Sequence, residues 1–282
     1  LYDTLTDELS ESEFAHVRGR GESAALAVGA GAAIAGGYLG SVDLSYPWFV
    51  AGAVTAVGAV VLLTLEEPET YKQTDTDELT LRRTAGIVKE ALSHRNLRAF
   101  ILYYYVLYAA VTYLVFVFLQ PIFQTVVIDF GVRPAQVESL LGWFYAAYSL
   151  FGALLSYYTG AIKERIGLRT WFVLLPFVVG AALIGMYYEP LLALPTFLLA
   201  RGLSDVTRSF AGQYVNDQID TLGRATVLSA MAMVSGLAVV PFQLGSGVIS
   251  DYVSPLFALA VGGVVLVVGS AVILLWEVPV TE

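Results

Sequence analysis

Three charged side chains share one face of an otherwise apolar segment, residues 190–213. Arg201, Asp205 and Arg208 stand at positions i, i+4 and i+7, and a helix with 3.6 residues per turn aligns them. A carboxylate one turn from a guanidinium can form an ion pair, contact a charged solute or take part in a proton pathway. Which of these tasks the three residues perform depends on the solvent that surrounds the helix.

The composition indicates that lipid surrounds most of the chain. Of the 282 residues, 57% are hydrophobic and 14% are charged, whereas a typical soluble domain carries about 25% charged residues. The mean hydropathy of +0.71 agrees with this assignment. The net charge of −9 offers no basic surface for nucleic acid, and the absence of cysteine excludes disulfides and thiolate metal sites.

Eight segments are long enough to cross a bilayer, which takes about 20 mostly apolar residues. Seven of them contain no charged residue, and the sixth along the chain contains the three charges described above. The segments are 23–42, 44–65, 99–128, 139–162, 170–188, 190–213, 225–250 and 252–276. We therefore predict an all-α, polytopic transmembrane helical bundle, with the lipid bilayer as its partner.

The charged segment has two possible roles within a bilayer. A charge near the bilayer centre costs about 3 kcal/mol, so this face must point into the helix bundle or a wet cavity. In the structural interpretation, Arg208 snorkels to water while Arg201 and Asp205 form a buried packing pair. In the functional one, Arg201 faces a substrate or proton pathway and Asp205 is its switchable partner. We predict the functional role for Arg201 and Asp205, and the structural one for Arg208.

The polar segments predict two bundles with both termini in the cytoplasm. Residues 1–65 hold a polar lead-in and two spans, residues 66–98 form a polar linker, and residues 99–282 hold six spans. Lysines and arginines outside the spans cluster on the side of the termini and the linker, whereas the opposite side carries only Arg133. The positive-inside rule assigns the basic side to the cytoplasm.

The loop after the fourth span has a motif of its own, GAIKERIGLRT at residues 160–170. It resembles the short cytoplasmic motif G-x-x-x-D-R-x-G-R-R of the major facilitator superfamily. The matching positions are Gly160, Glu164, Arg165, Gly167 and Arg169. Glutamate stands where the family usually has aspartate, and Leu168 replaces one of the basic residues.

Three further stretches resemble segments of efflux-type members of that family: LYDTL at 1–5, LQPIFQ at 119–124 and GRATVLSAMAMVSGL at 223–237. The resemblance implies a fragment that covers helices five to twelve of a twelve-helix transporter, with the linker as the central cytoplasmic loop. It also implies that Glu164, oriented by Arg165, docks on the N-terminus of the first span near Ser23. A carboxylate gains about 0.3–1 kcal/mol there, and the contact would gate the cytoplasmic side.

Polar residues in other spans predict the lining of a central cavity. Tyr108 lies deep in the third span, where its hydroxyl needs a partner or water. Gln120 and Gln124 share a face on either side of Pro121, which permits a kink, and Gln243 is a similar candidate in the seventh span. For each residue alone, hydrogen bonding between helices is the alternative role.

The resemblance and these candidates together predict a secondary active transporter of the plasma membrane. It would move a small molecule by alternating access, as efflux coupled to a proton or another ion. The alternative is a transport-inactive membrane sensor or scaffold with the same fold. We predict no enzyme, cofactor or metal, because no nucleotide-binding or catalytic motif is visible and the two histidines, His16 and His94, form no metal pair.

Overall fold

The computed structural model describes residues 11–64, 95–218 and 224–280, and the regular elements in these ranges are all helical. The predicted all-α class is therefore confirmed. Residues 1–10 of the predicted lead-in and residues 66–94 of the predicted linker 66–98 lie outside the described residues. The contacts divide the chain into two compact units, whose described parts are residues 11–64 with 132–150, and residues 95–131 with 151–218 and 224–280.

The described α-helices follow one another with short connections. In chain order they are α1 (Glu11–Val42), α2 (Tyr46–Leu62), α3 (Arg95–Phe100), α4 (Ala109–Asp129), α5 (Val137–Tyr157), α6 (Thr159–Ile166), α7 (Leu168–Tyr188), α8 (Ala193–Gln218), α9 (Arg224–Tyr252) and α10 (Pro255–Trp276). A π-helix, Ile101–Tyr108, joins α3 to α4 without a break. The 3₁₀ turns Pro134–Gln136 and Pro190–Leu192 precede α5 and α8, and each begins with a proline, whose fixed φ suits a first turn.

The predicted spans coincide with helices. Five described helical stretches are long and apolar enough to cross a membrane: Leu97–Asp129, Pro134–Tyr157, Leu168–Tyr188, Ser229–Tyr252 and Pro255–Trp276. Two shorter apolar stretches, Ala27–Val42 and Tyr46–Leu62, correspond to the first two predicted spans. The remaining predicted span is α8, which differs from the others by its internal charges. The polytopic helical bundle is thus confirmed.

Two predicted boundaries are wrong. The helix of the first span begins at Glu11, so the N–H groups near Ser23 lie inside α1 and not at its exposed N-terminus. The fourth span ends at Tyr157, and α6 takes up the end of the apolar run 139–162. An apolar run marks what a bilayer tolerates, whereas a helix continues wherever the polar residues beside the run also favour it.

In the first unit, α1 and α5 pack closely at two glycines. A Cβ atom on Gly37 would lie 2.7 Å from the carbonyl oxygen of Glu138, and one on Gly142 would lie 2.6 Å from that of Ala33. Near this contact, Trp143 Nε1 donates a hydrogen bond to the Tyr38 hydroxyl at 3.3 Å. Small residues of this kind let helices approach closely in lipid, where van der Waals packing drives association.

A short turn connects α1 to α2 in the same unit. Asp43 Oδ1 accepts hydrogen bonds from the Ser45 hydroxyl at 2.7 Å and from the Ser45 N–H at 2.8 Å. These two bonds, with the hydroxyl as the larger cause, hold the pKa of Asp43 below its usual value. The turn is therefore ordered by an ionised side chain that bonds to the backbone two residues ahead.

The second unit has a similar glycine contact between α7 and α10. A Cβ atom on Gly180 would lie 2.9 Å from the carbonyl oxygen of Gly263, and one on Gly263 would lie 2.7 Å from that of Gly180. α10 also meets the first span of this unit, where Gly269 faces Leu107. The unit's core is therefore built on helix backbones in close contact, with aromatic side chains filling the remaining space.

The π-helix was not predicted and it arranges a column of aromatic rings. Phe100 and Tyr104 stack with their ring centroids 5.6 Å apart, and Tyr104 stacks on Tyr108 at 5.8 Å. Tyr103 lies beside the column, and its hydroxyl donates to the Phe172 carbonyl oxygen at 2.9 Å. π-Helical turns are rare and are frequently found at functional sites, so this segment draws attention to Tyr104 and Tyr108 among the many aromatic residues.

Candidate functional site

The ion pair predicted in α8 forms within the second unit. Arg201 Nε lies 3.3 Å from Asp205 Oδ2, one turn along the helix. The two side chains are partly buried, with 35% and 20% of their surfaces exposed, whereas Arg208 is exposed. Of the two arginines that the spacing allowed as partners for Asp205, the structure places Arg201 beside it.

The second half of α5 forms a wall against the ion pair. A Cβ atom on Gly152 would lie 2.9 Å from Asp205 Oδ2, 3.3 Å from Arg201 Cγ and 3.4 Å from Arg201 Nε. One turn of helix away from the pair's aspartate, a Cβ atom on Gly202 would clash with the side chain of Leu155. The pair therefore points at a neighbouring helix of its own unit, where only a glycine leaves room for it.

Two hydroxyl residues, Ser204 and Thr207, flank Asp205 in the sequence of α8. Trp171 Nε1 donates to the Thr207 hydroxyl at 3.0 Å, and that hydroxyl donates in turn to the Leu203 carbonyl oxygen. Thr207 is fully buried and Trp171 is buried. Because a buried indole N–H needs an acceptor, this bond fixes α7 against α8 two residues beyond Asp205.

Tyr108 reaches the same part of α8 from the π-helix. Its hydroxyl lies near the Ser204 and Thr207 hydroxyls. It is fully buried and, within the described part of the chain, makes no hydrogen bond of normal geometry. Tyr108 is therefore the predicted cavity residue that the structure brings next to the charged segment.

The three predicted glutamines do not share these surroundings. Gln120 and Gln124 are exposed on α4, and Gln243 is half-buried on α9. Pro121 lies inside α4 as predicted, and its carbonyl oxygen accepts a hydrogen bond from the Thr125 hydroxyl at 3.0 Å. The glutamines remain candidates for solvent- or substrate-facing positions, but the geometry does not join them to the ion pair.

The predicted gating loop consists of α6 and the turn into α7. Gly167 sits between the helices with φ +76° and ψ 153°, a conformation that is essentially restricted to glycine. Glu164, Arg165 and Arg169 are exposed, as is Gly160, where an added Cβ would meet nothing within 4 Å. The structure thus gives a local reason for Gly167 and none for Gly160.

Lys163, inside the same loop, connects it to the charged helix. Its Nζ donates to the Gln213 side-chain oxygen at 2.8 Å. Gln213 lies on the last turns of α8, about two turns beyond Asp205. The loop and the helix that carries the charges are therefore tied together by a surface hydrogen bond.

An additional ion pair joins the two ends of the second unit. Arg98 Nε lies 2.7 Å from Glu277 Oε2, and the Arg98 guanidinium stands 5.0 Å from the centroid of the Trp276 ring. This contact was not predictable from local sequence, since its partners are separated by 179 positions. It fastens the start of the first span of this unit to the end of α10.

Sequence reasoning also missed Gly152, Trp171, Ser204 and Thr207. A signal existed for the last two, because they flank Asp205 in the one predicted span that holds charges. No signal distinguished Gly152 from the other 25 glycines of the chain, which contains 26 in all. Its role depends on which helix packs against α8, and that information is not local.

No group of three or more histidine, cysteine, aspartate or glutamate residues that could hold a metal ion occurs among the described residues. The side chains of His16 and His94 lie outside that set. In comparisons with known proteins, a family model described as Major Facilitator Superfamily matches residues 19–213, which is more than half of the chain. No curated protein matches the chain.

Proposed function

Because the chain belongs to the Major Facilitator Superfamily, a family of membrane transporters, we propose that it exports a small molecule across the plasma membrane by alternating access. Export is coupled to a proton or another ion that moves down its gradient. Transporters built from repeats bind their substrates near the bilayer midplane, where the repeats meet. The protein therefore acts as a carrier within the bilayer and not as an enzyme.

The observation that supports this function most strongly is the Arg201–Asp205 pair. Its charges lie in a helix of membrane-spanning length. Inserting charges into lipid costs free energy, so charged residues at this depth usually have a functional or structural role. Asp205 is the proposed coupling carboxylate, which alternates between Arg201 and the coupling ion. When Asp205 releases Arg201, the guanidinium is available to an anionic group of the substrate.

The remaining predicted residues have supporting roles in this proposal. Tyr108 lines the cavity beside the pair, and Gln120, Gln124 and Gln243 line its more exposed parts. The loop residues Gly160, Glu164, Arg165, Gly167 and Arg169 act at the cytoplasmic gate. Both ends of the chain lie in the cytoplasm, with residues 66–98 linking the segments 1–65 and 99–282. The basic loops support this orientation through the positive-inside rule.

The function is tested with the complete natural protein in proteoliposomes. Ethidium, rhodamine and carboxyfluorescein serve as cationic and anionic probes, and flux is recorded with and without an imposed proton or sodium gradient. Gradient-driven flux of at least one probe is the expected result. Asp205→Asn should abolish the response to the gradient, because the side chain keeps its shape and loses its charge.

Asp251→Asn is the matched control, since Asp251 is exposed at the end of α9. It should leave the gradient response unchanged. Gradient-driven flux that is equal in the parent protein and in Asp205→Asn would refute the coupling role. Absence of flux for all three probes under both gradients would count against transport and for the sensor or scaffold alternative.

A further inference from the structure

The backbone of α5 approaches the ion pair more closely than any side chain would allow. The position of a Cβ atom on Gly152 lies 2.9 Å from Asp205 Oδ2, a separation below the 3.0 Å that real Cβ contacts keep. Two further atoms of the pair, Arg201 Cγ and Nε, lie at 3.3 and 3.4 Å from the same point. The three nearest atoms from outside the local α5 backbone therefore all belong to the pair.

The same two helices have a second close approach that does not involve the charges. A Cβ atom on Gly202 of α8 would meet the side chains of Leu155 and Phe151 on α5. The two glycines thus face each other's helix, one toward charged atoms and the other toward apolar ones. Any substitution at either position disturbs helix packing, but only Gly152 disturbs the carboxylate directly.

We propose that Gly152 is a positioning residue that holds the Asp205 carboxylate against Arg201 by leaving its own side-chain space empty. The proposal rests on the proposed function, because it assigns Gly152 to the pair that performs the coupling. An alanine at position 152 displaces Asp205 Oδ2, since that oxygen ends a short rotatable side chain while the α5 backbone is fixed by its helix. The pair then loses the geometry of its 3.3 Å contact.

This role predicts a specific pattern of rescue in thermal unfolding of the purified complete protein. Gly152→Ala should lower Tm by at least about 3 °C. In an Asp205→Ala background the closest atom is gone and only the milder contacts with Arg201 Cγ and Nε remain, so adding Gly152→Ala should cause a clearly smaller drop. In an Asp205→Asn background an atom of the same size remains, so the drop should persist.

Gly202→Ala provides the matched control for packing damage at the same helix contact. Its own drop in Tm should add to that of Asp205→Ala, because Gly202 meets Leu155 and Phe151 and not the carboxylate. A Gly152→Ala drop that is equally large in the Asp205→Ala background would overturn the proposal. No drop for Gly152→Ala in the parent protein would overturn it as well.

Flux measurements separate the positioning role from the proposed function. With a probe that the parent protein exports, Gly152→Ala should reduce gradient-driven kcat at least tenfold, while Gly202→Ala should reduce it less than threefold. If Asp205→Asn exports the probe normally, the proposed function fails, and the thermal rescue still decides the contact. If Asp205→Asn is inactive but Gly152→Ala exports like the parent, positioning by Gly152 is refuted.

Discussion

Replacing Gly180 by alanine should weaken the second unit, because the added methyl group forces α7 and α10 apart where their backbones are in close contact. A Cβ atom at this position would lie 2.5 Å from Val267 Cγ2 and 2.9 Å from the carbonyl oxygen of Gly263. The valine methyl can rotate away, but the carbonyl oxygen is part of the α10 backbone. To restore an ordinary contact of at least 3.4 Å, the two helices must separate locally.

The expected cost follows from two opposing effects. Overpacking of a well-packed interior costs about 1–3 kcal/mol. Alanine also reduces the conformational entropy of the unfolded chain, which stabilises a helix by about 0.4–1 kcal/mol. The free energy of unfolding should therefore fall by about 0–2.6 kcal/mol relative to the parent. Relative to a glycine-to-alanine change at an unobstructed helix position, which has the same entropic gain, it should fall by about 1–3 kcal/mol, a difference in Tm of roughly 2–12 °C for a protein of this size.

The measurement compares Gly180→Ala with Gly245→Ala in SDS titration and thermal unfolding of the purified protein. Gly245 lies on α9, and an added Cβ there would meet nothing within 4 Å, so this variant should match or slightly exceed the parent in stability. A double variant with Gly263→Ala should lose less than the sum of the single losses, since one separation of the helices relieves both clashes. Equal stability of Gly180→Ala and Gly245→Ala would refute the close crossing.

Three other predictions concern the loop and the end-to-end contact. Gly167→Ala should cost about 1–3 kcal/mol, because φ +76° with ψ 153° is strained for any side chain, whereas Gly160→Ala should be neutral in the same unfolding assay. Arg98→Gln should lower Tm slightly, since it removes a partly exposed ion pair with Glu277 and a cation–π contact; a loss that salt does not reduce would contradict the electrostatic origin. Glu164→Gln should raise the maleimide reactivity of single cysteines introduced at the cytoplasmic ends of the spans, in a chain that has no native cysteine; unchanged reactivity and flux would exclude a gating role.

The apolar runs were sufficient to predict the helices, because lipid imposes both length and composition on a span. They were insufficient at the ends of helices, as α1 shows by beginning at Glu11 in polar sequence. They also could not distinguish the π-helix Ile101–Tyr108 from the α-helix that follows it. Hydropathy reports the solvent of a segment, whereas the hydrogen-bond register depends on how its side chains pack.

The charged helix shows where local and non-local information separate. Arg201 and Asp205 were predictable as a pair because four residues along a helix bring two side chains together whatever surrounds them. Their surroundings were not predictable, since Gly152 and Trp171 come from two other helices and neither residue type marks a site. The pair itself would occur in an isolated helix, where water would weaken it. What makes it a candidate site is therefore the close approach of α5 at Gly152. A substitution at Gly152 should change the pair without removing a charge.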